Sequence, residues 1–213
     1  AVITAVLRSL LTHHGLGTAL PPHAIADMVL KVETDRLEIH GGLQDRLPQA
    51  YNRMLHMDFR EELMVGRGWG AYSHMDESLL PKMWLAHGGT GQESGRVHAD
   101  LPARWAEQEP VMVRVINELA WCAHRGKEAL VAGDIDALST EINRNFDLRT
   151  ELFGEDALGE NLDMVRLARS LGSCAKQPGS GGAIIGIIPD DEFMERAAPA
   201  FSEHGWDLVA LEM

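Results

Sequence analysis

An α+β fold is what the sequence predicts, with helices outweighing strands. Three observations carry that expectation. Apolar residues recur at helical spacing in several stretches, clearest over residues 112–131 through Val115, Leu119, Cys122 and Leu130. Short runs of a different kind lie between them: residues 54–59 alternate, and residues 183–188 are a continuous apolar run entered from a glycine cluster. The two kinds of element intermix along 213 residues that are 45% hydrophobic, enough to bury a core in one large or two small domains.

In chain order, residues 1–14 form a helix whose apolar stripe is Val2, Ile3, Val6, Leu7, Leu10 and Leu11, stopped by Gly15 and Gly17. No capping residue precedes it, so its start, and whatever comes before, is expected to be missing. Pro21-Pro22 opens a second helix over residues 22–31, which the charged residues 32–40 can extend. Gly41-Gly42 stops it, and a third helix or loop follows to Tyr51. After the strand at residues 54–59, residues 61–82 are expected to be irregular, with Gly66, Gly68, Gly70 and Pro81. Residues 83–87 are a short strand, and Gly88-Gly89-Thr90-Gly91 starts a loop. A long helical region begins near Ser94 or Val97 and ends at Gly133. Helices follow at 134–148 and 160–171, then a strand at 183–188, a helix at 190–204 and a strand at 206–212. The Gly/Pro-containing stretch near residues 75–82 suggests two domains, 1–77 and 78–213.

Charge narrows the partners. With 19 Lys and Arg against 32 Asp and Glu, the net charge is -13. Nucleic acid is not expected, because binding it needs a basic face. A nucleotide is still compatible, since backbone N–H groups and a metal can hold phosphates locally. Two distant cysteines, Cys122 and Cys174, are no disulfide framework and suit a reduced, cytoplasmic protein. No apolar run is long enough to span a membrane, and the first residues do not resemble a signal peptide.

Two segments carry candidate chemistry. In Gly41-Gly42-Leu43-Gln44-Asp45-Arg46 the glycines permit close backbone approach, and Asp45 stands beside a fixed cation. A neighbouring cation favours the charged form of a carboxylate, which a general base needs. On the residues alone, a helix start with a surface ion pair is the favoured reading. In Lys176-Gln177-Pro178-Gly179-Ser180-Gly181-Gly182-Ala183 the glycines free backbone N–H groups for an anion, and Lys176 adds charge. The run ends in a strand, so it is not a Walker loop; a flexible turn is an equal alternative. A third stretch, Asn143-Arg144-Asn145-Phe146-Asp147-Leu148-Arg149, alone reads as a solvated helix end.

Together these segments resemble the glucuronokinases of the GHMP kinase superfamily. The resemblance rests on Gly42–Arg46, Gln49-Ala50-Tyr51, Met57-Asp58-Phe59, Ser78–Pro81, Ser94-Gly95, Val97-His98, Asn145–Arg149, Phe153-Gly154, Met164-Val165, Ala168-Arg169, Ala175-Lys176 and Gly179–Ala183, in family order. It covers the chain from about residue 32 to its end. It implies a GHMP kinase fold, with a partial half like the second domain of ribosomal protein S5 and a ferredoxin-like C-terminal half. It also implies transfer of the ATP γ-phosphate to the anomeric hydroxyl of a sugar acid, D-glucuronate, with Mg²⁺. Asp45, assisted by Arg46, stands at the family's catalytic aspartate. Lys176, Gly179, Ser180, Gly181 and Gly182 stand at a loop near the phosphates. Glu33 is the expected magnesium ligand, with Asp35 as the alternative.

The sequence departs from the family in two places. Tyr51-Asn52-Arg53 stands where Tyr-Gly-Gly is expected, which bears on the sugar side. A Pro-x-x-x-Gly-Leu-x-Ser-Ser-Ala phosphate loop is expected immediately before residue 1, so this chain taken alone is expected to be inactive. A kinase for galacturonate or a heptose, or a non-catalytic sugar binder, remain the alternatives.

Overall fold

The computed structural model describes residues 1–17, 19–39, 41–88, 101–179 and 182–212, except the side chain of Pro102. The expected loop and helix start over residues 89–100 lie outside the described residues. The chain divides into two compact units, Ala1–Ser78 and Leu79–Met213.

The first unit begins with helices α1 (Val2–His13), α2 (Pro22–Leu37) and α3 (Leu43–Tyr51). Ile3, Leu7 and Leu11 of α1 pack on Ile25, Ala26 and Val29 of α2 and on Leu47 and Ala50 of α3. Pro22 sits at the first turn of α2, where its missing N–H has no partner to lose. α2 continues past residue 31 because its buried face continues: Glu33 follows Val29 by four residues and is buried as well. It ends at Glu38, in the left-handed conformation.

Residues 61–82 are more regular than their glycines suggest. Strand β1 (Leu55–Asp58) pairs antiparallel with β2 (Ala71–His74), and helix α4 (Glu61–Arg67) connects them. Gly68 ends α4 with φ 82°. At Gly70 a Cβ would lie 2.3 Å from the carbonyl oxygen of Asp58. These glycines close a helix and let two backbones approach, and neither marks an irregular loop.

The second unit starts with β3 (Met83–His87), followed by α5 (Leu101–Ala106), α6 (Pro110–Ala132), α7 (Ile135–Phe153), α8 (Glu155–Leu158) and α9 (Glu160–Ser170). Then come β4 (Ala175–Lys176), β5 (Ala183–Ile187), α10 (Phe193–Ser202) and β6 (Asp207–Ala210). The sheet is antiparallel in the order β4-β5-β3-β6. That order and the βαββαβ succession are those of a ferredoxin-like fold, with a helical insertion in the first crossover. Trp84, Ile184, Phe193, Phe201, Met164 and Val165 form its core. Trp84 donates from Nε1 to Ser173 Oγ at 2.8 Å, so its polar edge is satisfied inside the core. Among the described residues no helix is long and apolar enough to cross a membrane.

Two positions fix this packing. Asp134 caps α7 by accepting from the Ala137 N–H at 2.9 Å, after Gly133 has closed α6 in the left-handed conformation. Gly186 lies where β5 passes both β4 and Trp84: a Cβ there would be 2.1 Å from the Cys174 carbonyl oxygen and 2.5 Å from the Trp84 ring. Gly186→Ala is expected to cost about 1–3 kcal/mol by overpacking. Urea denaturation checks it; an unchanged midpoint would mean that the strand yields freely.

Candidate functional site

Each unit carries one candidate segment. In the first, Gly42 adopts an extended backbone and opens α3, which places Asp45 in the helix's first turn. A carboxylate there is favoured by the positive end of the helix dipole. The Asp45 side chain is 79% exposed, and its Oδ2 accepts from Arg46 Nη1 at 3.2 Å. Arg46 is almost fully buried. It also donates to the Gly42 carbonyl at 3.0 Å from Nη1, and to Glu33 Oε2 at 2.6 Å from Nε. Nη2 donates to the same oxygen.

Arg46 therefore joins two carboxylates with different surroundings: buried Glu33 behind it and exposed Asp45 in front. This is more than a surface ion pair. Gly41 works differently from the sequence expectation of close ligand approach. A Cβ on Gly41 would meet the Arg46 guanidinium at 2.7 Å, so the space beside Gly41 belongs to Arg46. Gly42 has nothing within 4 Å of its Cβ direction.

Glu33 does not stand free toward solvent. Both of its hydrogen bonds from Arg46 end on Oε2. Asp35 is exposed, with Thr34 donating to its Oδ1 at 2.8 Å. Among the described residues no three His, Cys, Asp or Glu side chains are grouped to hold a metal by themselves. That donor set suits Mg²⁺ only as the ion is commonly held, by one or two carboxylates with a ligand's phosphates.

In the second unit, Lys176 lies on β4, paired with Ile185 of β5. Gly179 and Gly182 follow; Gly182 has φ 78°, which explains glycine there. Ser180 and Gly181 lie outside the described residues. Burial pushes the Lys176 ammonium down to about 8 from its ordinary 10.5, and nearby Arg149 adds to the shift. Gln177, next along, is 2% exposed, and its Oε1 has no partner among the described residues.

The loop is tied to α7 at two points. The Ala175 N–H donates to Asn143 Oδ1 at 3.2 Å, and Arg149 Nη2 donates to the Gly179 carbonyl at 2.9 Å. Arg149 was expected at a solvated helix end, but α7 runs four residues beyond it. Leu148 and Leu152 are buried four residues apart and continue the helix; that spacing is the signal that sequence reasoning passed over.

The depressed Lys176 value has a consequence for stability. Between about pH 8 and 10.5 the unfolded chain holds a proton that the folded chain has shed, so this lysine's contribution makes stability rise with pH across that window. Lys176→Met is expected to flatten the rise. Denaturation of both proteins at pH 7.5 and 9.5, chosen to bracket the lower bound, reads it; equal slopes would contradict it.

No protein-family model matches the chain. It is 36% identical over 192 residues to a protein named probable glucuronokinase 2 from Arabidopsis thaliana, covering 89% of this chain and 52% of that protein. Glucuronokinase 1 of the same plant is 36% identical over 191 residues, with the same coverages. The chain thus spans about half the length of the curated relatives it matches. Among solved structures, L. major mevalonate kinase superposes with a TM-score of 0.68 at 18% identity, over 95% of this chain and 60% of that one. A heptose 1-phosphate kinase from Bacteroides thetaiotaomicron gives 0.65 at 14%, over 97% and 56%. Lactococcus lactis galactokinase, complexed with galactose, gives 0.70 at 12%, over 100% and 63%. At these identities the likeness is one of fold, and the fold is that of the GHMP kinases.

Proposed function

We propose that this chain, a glucuronokinase-like stretch of the GHMP kinase fold, is part of a kinase that phosphorylates the anomeric hydroxyl of D-glucuronate. The observation that carries the proposal is the 36% identity to glucuronokinases along 89% of the chain. Asp45 and the Lys176 loop lie within the motif segments that resemble the family. In the reaction, the sugar O1 attacks the γ-phosphorus of ATP, the bond to the β-bridging oxygen breaks, and the hydroxyl proton passes to Asp45. Glucuronate 1-phosphate and ADP result.

This chain's residues divide the work as their surroundings suit them. Asp45, exposed and turned by Arg46, is the base. Glu33 both orients Arg46 through Oε2 and is the side chain proposed to reach Mg²⁺. Lys176, Gly179, Ser180, Gly181 and Gly182 are proposed to hold nucleotide phosphates, with Mg²⁺ neutralising charge on them when bound. Phosphoryl transfer asks mainly for positioning and charge stabilisation, so this modest set is adequate. A cytoplasmic setting, where ATP is available and Cys122 and Cys174 stay as the free thiols observed, belongs to the same reading.

The test is phosphoryl transfer from γ-labelled ATP by the full-length protein that carries this sequence. Labelled glucuronate 1-phosphate is the expected product; none, with the protein folded, overturns the reading. A second acceptor rests only on the side chain that Asn52 adds where the family pattern has Gly, since its left-handed backbone at the end of α3 is one that a Gly also takes. A panel with galacturonate and heptoses in the same assay separates the two, and preference for one of them would reassign the acceptor.

A further inference from the structure

The mouth of the Gly179 loop carries a second cation that the proposed function leaves unused. Asn143 and Arg149 are six residues apart on α7, a rise of about 9 Å. They bond to Ala175 and Gly179, four residues apart on the strand and loop. The strand donates the first bond and the helix donates the second, and the two bracket Lys176, Gln177 and Pro178. The Arg149 side chain is thereby held beside the loop, with Phe153 under its guanidinium at 5.9 Å.

Arg149 and Lys176 are partly buried and close enough to repel each other. Among the described residues neither has a carboxylate partner. Arg149 instead spends a donor on a neutral carbonyl, and its Nε is buried with no partner among the described residues. The sequence has 32 Asp and Glu, and the buried arginine among the described residues, Arg46, is paired with two of them, Glu33 and Asp45. Two adjacent cations left uncompensated in an acidic protein are costly without a bound anion. A guanidinium beside an ammonium suits an oxyanion with two or more oxygens, because Arg offers a planar fork and Lys a point charge.

We infer that Arg149 and Lys176 form a two-cation oxyanion subsite at the Gly179 loop, with Arg149 a binding residue in its own right. The ligand is an oxyanion borne by a substrate, either a nucleotide phosphate or a sugar-acid carboxylate. Only the naming of those two sources rests on the kinase reading.

The experiment is calorimetric titration of the chain with inorganic pyrophosphate, with D-glucuronate, and with D-glucose as the neutral control. Wild type, Arg149→Gln, Arg149→Lys and Lys176→Gln are compared. If the oxyanion is a phosphate, pyrophosphate binding weakens about tenfold or more in both glutamine variants, and glucuronate binding is unchanged. If it is a carboxylate, the pattern reverses. Arg149→Lys keeps the charge and is expected to lose less than Arg149→Gln. It also keeps the steep weakening from 50 to 500 mM salt that Arg149→Gln loses, which a loop-tying role would not produce. Arg149→Gln with wild-type affinity for both anions overturns the inference, as does a wild type that binds neither. Circular dichroism confirms the fold of each variant, and Arg149→Lys decides should Arg149→Gln unfold. The two readings fail separately. Intact anion binding with no phosphoryl transfer by the full-length protein removes the kinase and leaves the subsite. Transfer with unchanged KM and kcat in Arg149→Gln removes the subsite and leaves the kinase.

Discussion

Glu33→Gln is expected to destabilise the fold by about 3–5 kcal/mol, the usual cost of stranding one partner of a buried ion pair. Both side chains are only 11% exposed, so water does little to replace the lost carboxylate. Arg46 keeps two acceptors, the Gly42 carbonyl and Asp45, and neither lies behind it where the charge would be bare. Arg46→Met should cost a similar amount by leaving the buried Glu33 carboxylate without its partner. The double variant should cost much less than the two singles together, because it removes both charges. Urea denaturation of the four proteins closes the cycle. Additive losses would show that the pair is not coupled and that Arg46 acts through packing alone.

In the second unit β3, β5 and α6 were legible, the strands as apolar runs and the helix by its apolar stripe around Val115 and Cys122, whereas the ferredoxin-like arrangement was implied only by the family resemblance and the two-residue β4 gave no signal. Glycines misled where they serve packing. Gly68 and Gly70 suggested irregular chain, yet one closes α4 and the other admits the backbone of β1. Composition cannot distinguish a glycine that frees the chain from one that lets something else come close.

The candidate site was legible one residue at a time and not as a network. Asp45 beside Arg46 is visible in sequence, but the partner that buries Arg46 is 13 residues away on another helix. The family pattern implies Glu33 as a metal ligand; its bond to Arg46 is a tertiary fact without any local signal. Arg149 was hidden by a boundary error. A helix taken to end at residue 148 makes that arginine a surface charge, whereas five more residues of helix turn it toward Gly179.

Asp45→Asn should separate chemistry from stability as Glu33→Gln cannot. The side chain is mostly exposed and its contact with Arg46 lies at the surface, so the folded state should change by no more than about 0.5 kcal/mol. Asparagine fills the same volume and can still accept from Arg46 Nη1, so the start of α3 is preserved. It cannot take a proton from a sugar hydroxyl. Removal of a positioned general base typically costs about 10²–10⁴-fold in rate, and kcat for transfer to glucuronate should fall by that much. KM should move little, because the proton transfer belongs to the transition state and not to ground-state binding. Initial rates with labelled ATP across a glucuronate series measure both constants. A kcat within about threefold of wild type would remove Asp45 from the chemistry, since the expected loss is at least tenfold larger. A large fall in Asp45→Asn with an unchanged urea midpoint would mean that the two carboxylates flanking Arg46 have separate tasks: the buried one holds the arginine, and the exposed one uses the position that the arginine gives it.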